Sequence, residues 1–315
     1  MGYTVEDNGN RRYKINKNRE IVRPSTGQDF CVDRVKAGLG RTAVMRGRIF
    51  HPEGGADEPL NVVAMNGWSA PAASYYEGAG KMASMGIATA VYDTIHLPSI
   101  KDFKDSLRAA EMGGIAMIDI MGEVVGDNET ALIGHSTGAI TAWRVAQNDD
   151  RPSYVVGEAP AGIEHRNMGR VYLKENLKDI VQNEFMKYFK HLFTDKFGLQ
   201  VAGEFLVLNT TEPTRLIRQA WMLSKGPDLA PMMATAHEKG MLNGVILHGN
   251  DKFFHMDKQI EIIDRKKHLF DLVRIEEDST HLHPNMYPTR NAEIRVEVLN
   301  TLRGIRKLGS QALSS

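Results

Sequence analysis

What the 315-residue sequence lacks already removes several classes of protein. Its single cysteine, Cys31, cannot form an internal disulfide, which suits a reducing, cytoplasmic setting. The simplest role for it is that of a small apolar residue in a strand. Neither sign of charge is in excess, since 39 Lys and Arg stand against 39 Asp and Glu. That balance gives no electrostatic basis for binding nucleic acid or an anionic surface. No apolar run approaches the ~18 residues that span a bilayer, so no stable membrane insertion is expected. The opening Met1-Gly2-Tyr3-Thr4-Val5-Glu6-Asp7 shows neither an apolar leader core nor a myristoylation pattern. No His, Cys, Asp or Glu cluster has metal-ligand spacing, and neither common glycine-rich phosphate loop occurs. No metal and no cofactor are therefore expected. Internal repeats and low-complexity tracts are also missing. What remains, 42% hydrophobic and 25% charged residues, suffices for a sizeable core.

The chain divides by pattern. Residues 1–40 read as an N-terminal extension and a first strand. Arg11, Arg12, Lys14, Lys17, Arg19 and Arg23 make the extension basic, and it reads as a solvated arm rather than a nucleic-acid arm. Runs at Asp29–Val35 and Arg41–Phe50 read as a hairpin about Gly38-Leu39-Gly40. Residues 41–162 then alternate strands (Asn61–Met65, Ile87–Tyr92, Ala131–Ile133, Tyr154–Gly157) with helices. Phe103, Leu107, Ala110, Gly114, Ile118, Met121 and Val125 recur at helical spacing, and Gly114 on that seam reads as a point of close backbone approach. Such alternation predicts a mainly parallel sheet with helices on both faces.

The rhythm breaks over residues 163–242, which show helical stripes and no buried strand. One stripe is Leu173, Leu177, Val181, Phe185, Tyr188 and Leu192; another helix starts at Thr211-Glu212-Pro213. This segment reads as an all-helical insertion. Alternation returns in residues 243–315, through Gly244–Leu247, a helix at Asp257–Lys267, a strand at Leu272–Ile275 and a helix near Ala292–Leu308.

Between a strand and a helix lies Gly134-His135-Ser136-Thr137-Gly138, of the form G-x-S-x-G. This is the nucleophile elbow, a turn so sharp that flanking side chains would collide and glycine relieves the collision. A serine hydroxyl needs a histidine to take its proton and a carboxylate to orient that histidine. Asp251 follows one late strand and His281 the next, so both open at the sheet edge where Ser136 projects. The order Ser…Asp…His matches this architecture.

On these residues the chain resembles the α/β-hydrolase-fold serine hydrolases that carry a helical cap. The resemblance covers residues from about 41 to 310 and rests on the elbow, on His248-Gly249-Asn250-Asp251 and on His281 shortly before Pro284. It implies Ser136, Asp251 and His281 as catalytic residues. Asn66-Gly67-Trp68 stands where the family commonly has His-Gly-x, which implies the backbone N–H groups of Trp68 and Thr137 as oxyanion donors. Asn66 departs from the usual His.

Rivals remain at two positions. His283 could replace His281, and Glu158 at an earlier strand end could supply the acid. His96, His165, His248 and His255 read as satisfied polar or loop histidines. In the insertion, Trp221, Phe189, Met186, Phe193 and the methionines Met168, Met222, Met232 and Met233 offer an apolar lining, although such spacing more often makes core. Both ends of the insertion meet the edge carrying Ser136, so it is expected to lie over that serine as a lid.

The leading expectation is hydrolysis of a carboxylic ester, thioester or lactone of an apolar or aromatic acyl group, through an acyl-serine. A C–C bond hydrolase or acyltransferase would use the same residues, and a ligand-binding receptor could keep the fold. An aspartate-nucleophile epoxide hydrolase or dehalogenase is disfavoured by Ser136. The expected partner is a small-molecule ester-type substrate, with no nucleic acid; a homo-oligomer is left open.

Overall fold

Most of the parallel core is built from runs that bury both their faces. The computed structural model describes residues 2–7, 11–16, 27–36, 42–52, 59–67, 70–96, 103–163, 190, 203 and 228–314. Its strands are Gly2–Asp7 (β1), Arg11–Asn16 (β2), Gly27–Lys36 (β3), Thr42–Phe50 (β4) and Leu60–Met65 (β5), then Ile87–His96 (β6), Glu129–His135 (β7), Pro152–Glu158 (β8), Leu242–His248 (β9) and Leu272–Glu276 (β10). They form one sheet in the order β1-β2-β3-β4-β6-β5-β7-β8-β9-β10. Strands β6, β5, β7, β8, β9 and β10 run parallel, while β1 to β4 are antiparallel to their neighbours.

The described helices are Tyr76–Ser84 (α1), Phe103–Val124 (α2), Thr137–Asn148 (α3), Leu229–Glu238 (α4), Met256–Arg265 (α5), His283–Met286 (α6) and Pro288–Ser314 (α7). Strand residues alternate between two helical layers. Val63, Met65, Leu132, Val155, Val245 and Leu247 join one cluster with residues of α2, α3 and α4. Leu60, Val62, Ala131, Ile133, Tyr154, Val156 and Ile246 join another with Met82 of α1 and Val298 and Leu302 of α7. The period-two side-chain alternation of strands produces this division, and it explains the unbroken apolar runs. The Gly114 seam is real: a Cβ there would stand 2.5 Å from Val145 Cγ2, so glycine lets α2 approach α3.

From β5 the chain passes through α1 to β6 on one side, then crosses back through α2 to β7 on the other. Such a reversal opens a crevice beyond the carboxyl ends of the strands flanking it. The elbow leaves β7 at that end.

Two differences from the sequence expectations stand out. The basic extension is not a free arm, because β1 and β2 extend the sheet as an antiparallel pair joined to β3. Its register sets Val5 opposite Tyr13, Tyr3 opposite Ile15 and Glu6 opposite Arg12. Counting charges hid the alternation in Arg12-Tyr13-Lys14-Ile15-Asn16. The second difference is α4, which falls inside the stretch read as insertion yet packs on α3 as part of the main core. Asp228 caps it by accepting from the Ala230 N–H at 2.9 Å. Met232 and Met233, considered for a pocket lining, are buried in that core. The chain leaves the described core at Ile163 and re-enters at Asp228, and the Leu229 N–H bonds the Gly162 carbonyl (3.1 Å) where the two ends meet. The helical stripe from Leu173, the Thr211 helix start, Met168, Met186, Phe189, Phe193, Trp221, Met222 and His165 lie outside the described residues, as does Trp68.

Candidate active site

One residue separates β7 from α3, and it is Ser136. Its backbone sits at φ 53° and ψ −120°, a region L-residues seldom adopt and that costs about 1–3 kcal/mol. The surroundings hold it there. The Ser136 N–H donates to the Glu158 carbonyl (2.9 Å), and the Ser136 carbonyl accepts from Ala139 and Ala161 (both 3.1 Å). A Cβ on Gly134 would lie 2.5 Å from Ala139 Cα, and one on Gly138 would lie 2.7 Å from the Asn66 carbonyl oxygen. Both clashes are with backbone, so only glycine fits either side of the turn.

Ser136 Oγ lies 3.0 Å from His281 Nε2, and His281 Nδ1 lies 2.8 Å from Asp251 Oδ2. Ser136, His281 and Asp251 are all buried, at 3%, 4% and 4% exposure. The other carboxylate oxygen of Asp251 accepts from the backbone N–H groups of Phe253 (2.7 Å) and Phe254 (2.9 Å). A carboxylate only accepts, so Nδ1 of His281 carries the proton and Nε2 presents its lone pair to the serine hydroxyl. The rings of Phe253 and Phe254 stand 4.4 and 5.3 Å from the imidazole. Thr137 opens α3, and the first amide of a helix has no intrahelical acceptor. That amide and the helix N-terminus both favour negative charge beside Ser136.

No family model matches the sequence, and no curated protein matches it. Solved structures do. An N-formylmaleamic acid deformylase from Pseudomonas putida S16 is 18% identical, with 84% of this chain and 99% of that chain covered at a TM-score of 0.54. A thermophilic esterase from Thermogutta terrifontis is 12% identical, covering 87% and 99% at 0.57. An α/β-hydrolase from Penicillium sp. sh18 is 13% identical, covering 83% and 94% at 0.52. This chain has the α/β-hydrolase fold.

Within this α/β-hydrolase fold the rival residues fall elsewhere. Glu158 is fully buried at the end of β8, with Oε2 accepting from Arg295 Nε (3.0 Å) and Nη2. Burial alone would raise the Glu158 carboxyl, but the guanidinium outweighs it and holds the group well below the usual carboxylate range. His283 packs against Tyr287, with ring centroids 4.8 Å apart, and edges His248 at 6.0 Å. Among the described residues, no group of three or more His, Cys, Asp or Glu could hold a metal, and no helix is long and apolar enough to cross a membrane.

The partners of His135 are not legible in the sequence. Its Nε2 lies 2.9 Å from the His281 carbonyl, and its Nδ1 lies 2.7 Å from the Tyr75 hydroxyl, which also accepts from the Gly67 N–H (3.1 Å). A carbonyl only accepts, so Nε2 carries the proton and the phenol donates to Nδ1. Burial pushes the His135 imidazole down to about 3, with the nearby His281 adding to the effect, and pushes the Tyr75 phenol up to about 12. Both are neutral. Asn66, the departure from the family pattern, donates to the Tyr92 carbonyl (3.0 Å) and Asp93 Oδ1 (3.1 Å). Asp93 Oδ2 accepts from the Ala72 N–H (3.0 Å), so the Asp93 carboxylate ties Asn66 and Ala72 together.

His135 carries a pH prediction. As pH falls from 6.5 towards 3, the unfolded chain protonates this imidazole while the folded chain does not. Stability therefore drops across that window, by up to about 1.4 kcal/mol per pH unit from this group. His135→Gln keeps a neutral amide donor and removes the titration. Urea unfolding at a series of pH values should give the variant a shallower acid limb; an unchanged slope would count against a buried, neutral His135.

Proposed function

We propose that the protein is a serine hydrolase that cleaves a carboxylic ester, thioester or lactone of an apolar or aromatic acyl group. The observation that carries this reading is the unbroken line of hydrogen bonds from Ser136 Oγ through His281 to Asp251, set on the strained turn at the head of α3. In acylation Ser136 Oγ attacks the carbonyl carbon while His281 Nε2 takes the hydroxyl proton. Asp251 stabilises the resulting imidazolium. The oxyanion forms against the Thr137 amide and, from the family resemblance, the Trp68 amide. His281 passes its proton to the leaving oxygen or sulfur, giving an acyl-serine and a free alcohol or thiol. Water then gives a proton to His281 and its oxygen to the acyl carbon; as the acyl–Oγ bond breaks, His281 returns that proton to Ser136 Oγ, releasing the acid and restoring the hydroxyl.

Residues 164–227 are proposed as the cap, with Trp221, Phe189 and Met186 towards the acyl group. Support comes from the meeting of its two ends at Gly162 and Leu229, one residue from Ala161, which bonds the Ser136 carbonyl. The similar folds include structures described as an esterase and an N-formylmaleamic acid deformylase, which fits the same chemistry. The test is a series of p-nitrophenyl esters of increasing chain length. A burst of p-nitrophenolate equal to the enzyme concentration, then steady turnover favouring the longer or aromatic acyl groups, is expected. Neither burst nor turnover across the series would overturn the reading.

A further inference from the structure

The loop that carries His281 is gripped by two imidazoles that lie outside the proton-transfer line. Thr280 and His281 present consecutive carbonyls. His248 Nδ1 lies 2.6 Å from the first, and His135 Nε2 lies 2.9 Å from the second. Both histidines are 2% exposed, and each must donate, since a carbonyl only accepts. Behind them the two grips are built differently. His135 is oriented by a neutral partner, the Tyr75 hydroxyl. His248 turns its Nε2 towards Glu158 Oε1 at 3.7 Å, and Glu158 is in turn clamped by Arg295 from α7. Burial would discharge His248, but the Glu158 carboxylate outweighs it and raises the imidazole above its ordinary value.

A fully buried glutamate, arginine and histidine are costly unless paired, and apolar residues of similar volume often serve stability as well. Here the buried set ends on a short bond from His248 Nδ1 to the carbonyl of the residue before His281. We propose that His248, held by Glu158 and Arg295, and His135, held by Tyr75, are positioning residues that fix the Thr280–His281 backbone so that the His281 imidazole spans Ser136 and Asp251. The proposal rests on the hydrolase reading for its kinetic consequence, though not for its structural one. A small displacement or rotation of the imidazole spoils its bond to Ser136, to Asp251 or to both. Misplacement on the order of 1 Å costs about a hundredfold in rate.

The test compares His248→Leu with His248→Asn, whose amide keeps a donor near the Nδ1 position. In the leucine variant kcat for a p-nitrophenyl ester should fall about a hundredfold with KM within about twofold, and the asparagine variant should recover most of the loss. Proton NMR gives a readout independent of turnover. The low-field Nδ1–H signal of His281 in its bond to Asp251 should shift or broaden in the leucine variant and return in the asparagine one. Should His248→Leu fail to fold, His135→Leu against His135→Gln makes the same comparison from the other side. A folded leucine variant with kcat and the low-field proton unchanged would overturn the proposal. If the unaltered protein hydrolyses no ester while the NMR pattern follows the variants, the positioning stands and the hydrolase reading falls.

Discussion

Ser136→Ala is expected to lower ester hydrolysis about a millionfold, the loss typical of removing a serine nucleophile, worth roughly 8 kcal/mol of barrier. The reason is local. Among the described residues, Ser136 Oγ alone faces a lone-pair nitrogen that is backed by a carboxylate, with the amide of Thr137 beside it. Alanine keeps the Cβ and the strained backbone, so the substitution should leave thermal unfolding nearly unchanged. What remains would be the slow attack of water in a site that still binds the acyl group. Steady-state rates together with melting curves make the check; a folded variant retaining even a tenth of the activity would remove Ser136 from the chemistry.

Asp251→Asn should cost about ten-thousandfold in kcat, because the imidazole would be held in the wrong tautomer. The geometry makes this specific. One oxygen of Asp251 is claimed by the N–H groups of Phe253 and Phe254, so an asparagine must place its own oxygen there. Its NH2 group then faces His281 Nδ1, which must become the acceptor, and the proton moves to Nε2, where it confronts the serine hydroxyl. Glu158→Gln makes the contrast. Glu158 meets Arg295 and His248 rather than His281, so its loss should show chiefly in stability, with a smaller loss of rate. Near-normal turnover in Asp251→Asn beside a ten-thousandfold loss in Glu158→Gln would move the acid to β8.

Much of this arrangement is legible in the sequence because the chemistry lies where strands end. Apolar runs mark β5, β7, β8 and β9, and the residues just past two of them are Ser136 and Asp251. The turn after β10 holds His281. Glycine at positions 134 and 138 is readable for the same reason it is needed: no side chain fits against Ala139 or the Asn66 carbonyl. The supporting residues are less legible. Nothing in spacing tells that His135, in the variable position of the elbow, meets Tyr75 and the His281 carbonyl, 146 residues away. Glu158 and Arg295 are 137 residues apart, and only the stacking of α7 under the sheet joins them. Reading residues 163–242 as one helical insertion likewise gave no sign that the apolar face of α4 meets α3. The β1–β2 pair escaped because its basic residues drew notice before its period-two alternation did.

Ligand binding on the same fold and catalysis differ in one respect, whether Ser136 becomes covalently modified. Reaction of the intact protein with a fluorophosphonate, followed by digestion and peptide mass spectrometry, reads this directly. One adduct per chain is expected, on the peptide carrying Gly134-His135-Ser136-Thr137-Gly138 and at Ser136 itself, with none in Ser136→Ala. No adduct, or equal modification of Ser136→Ala at another residue, would contradict it.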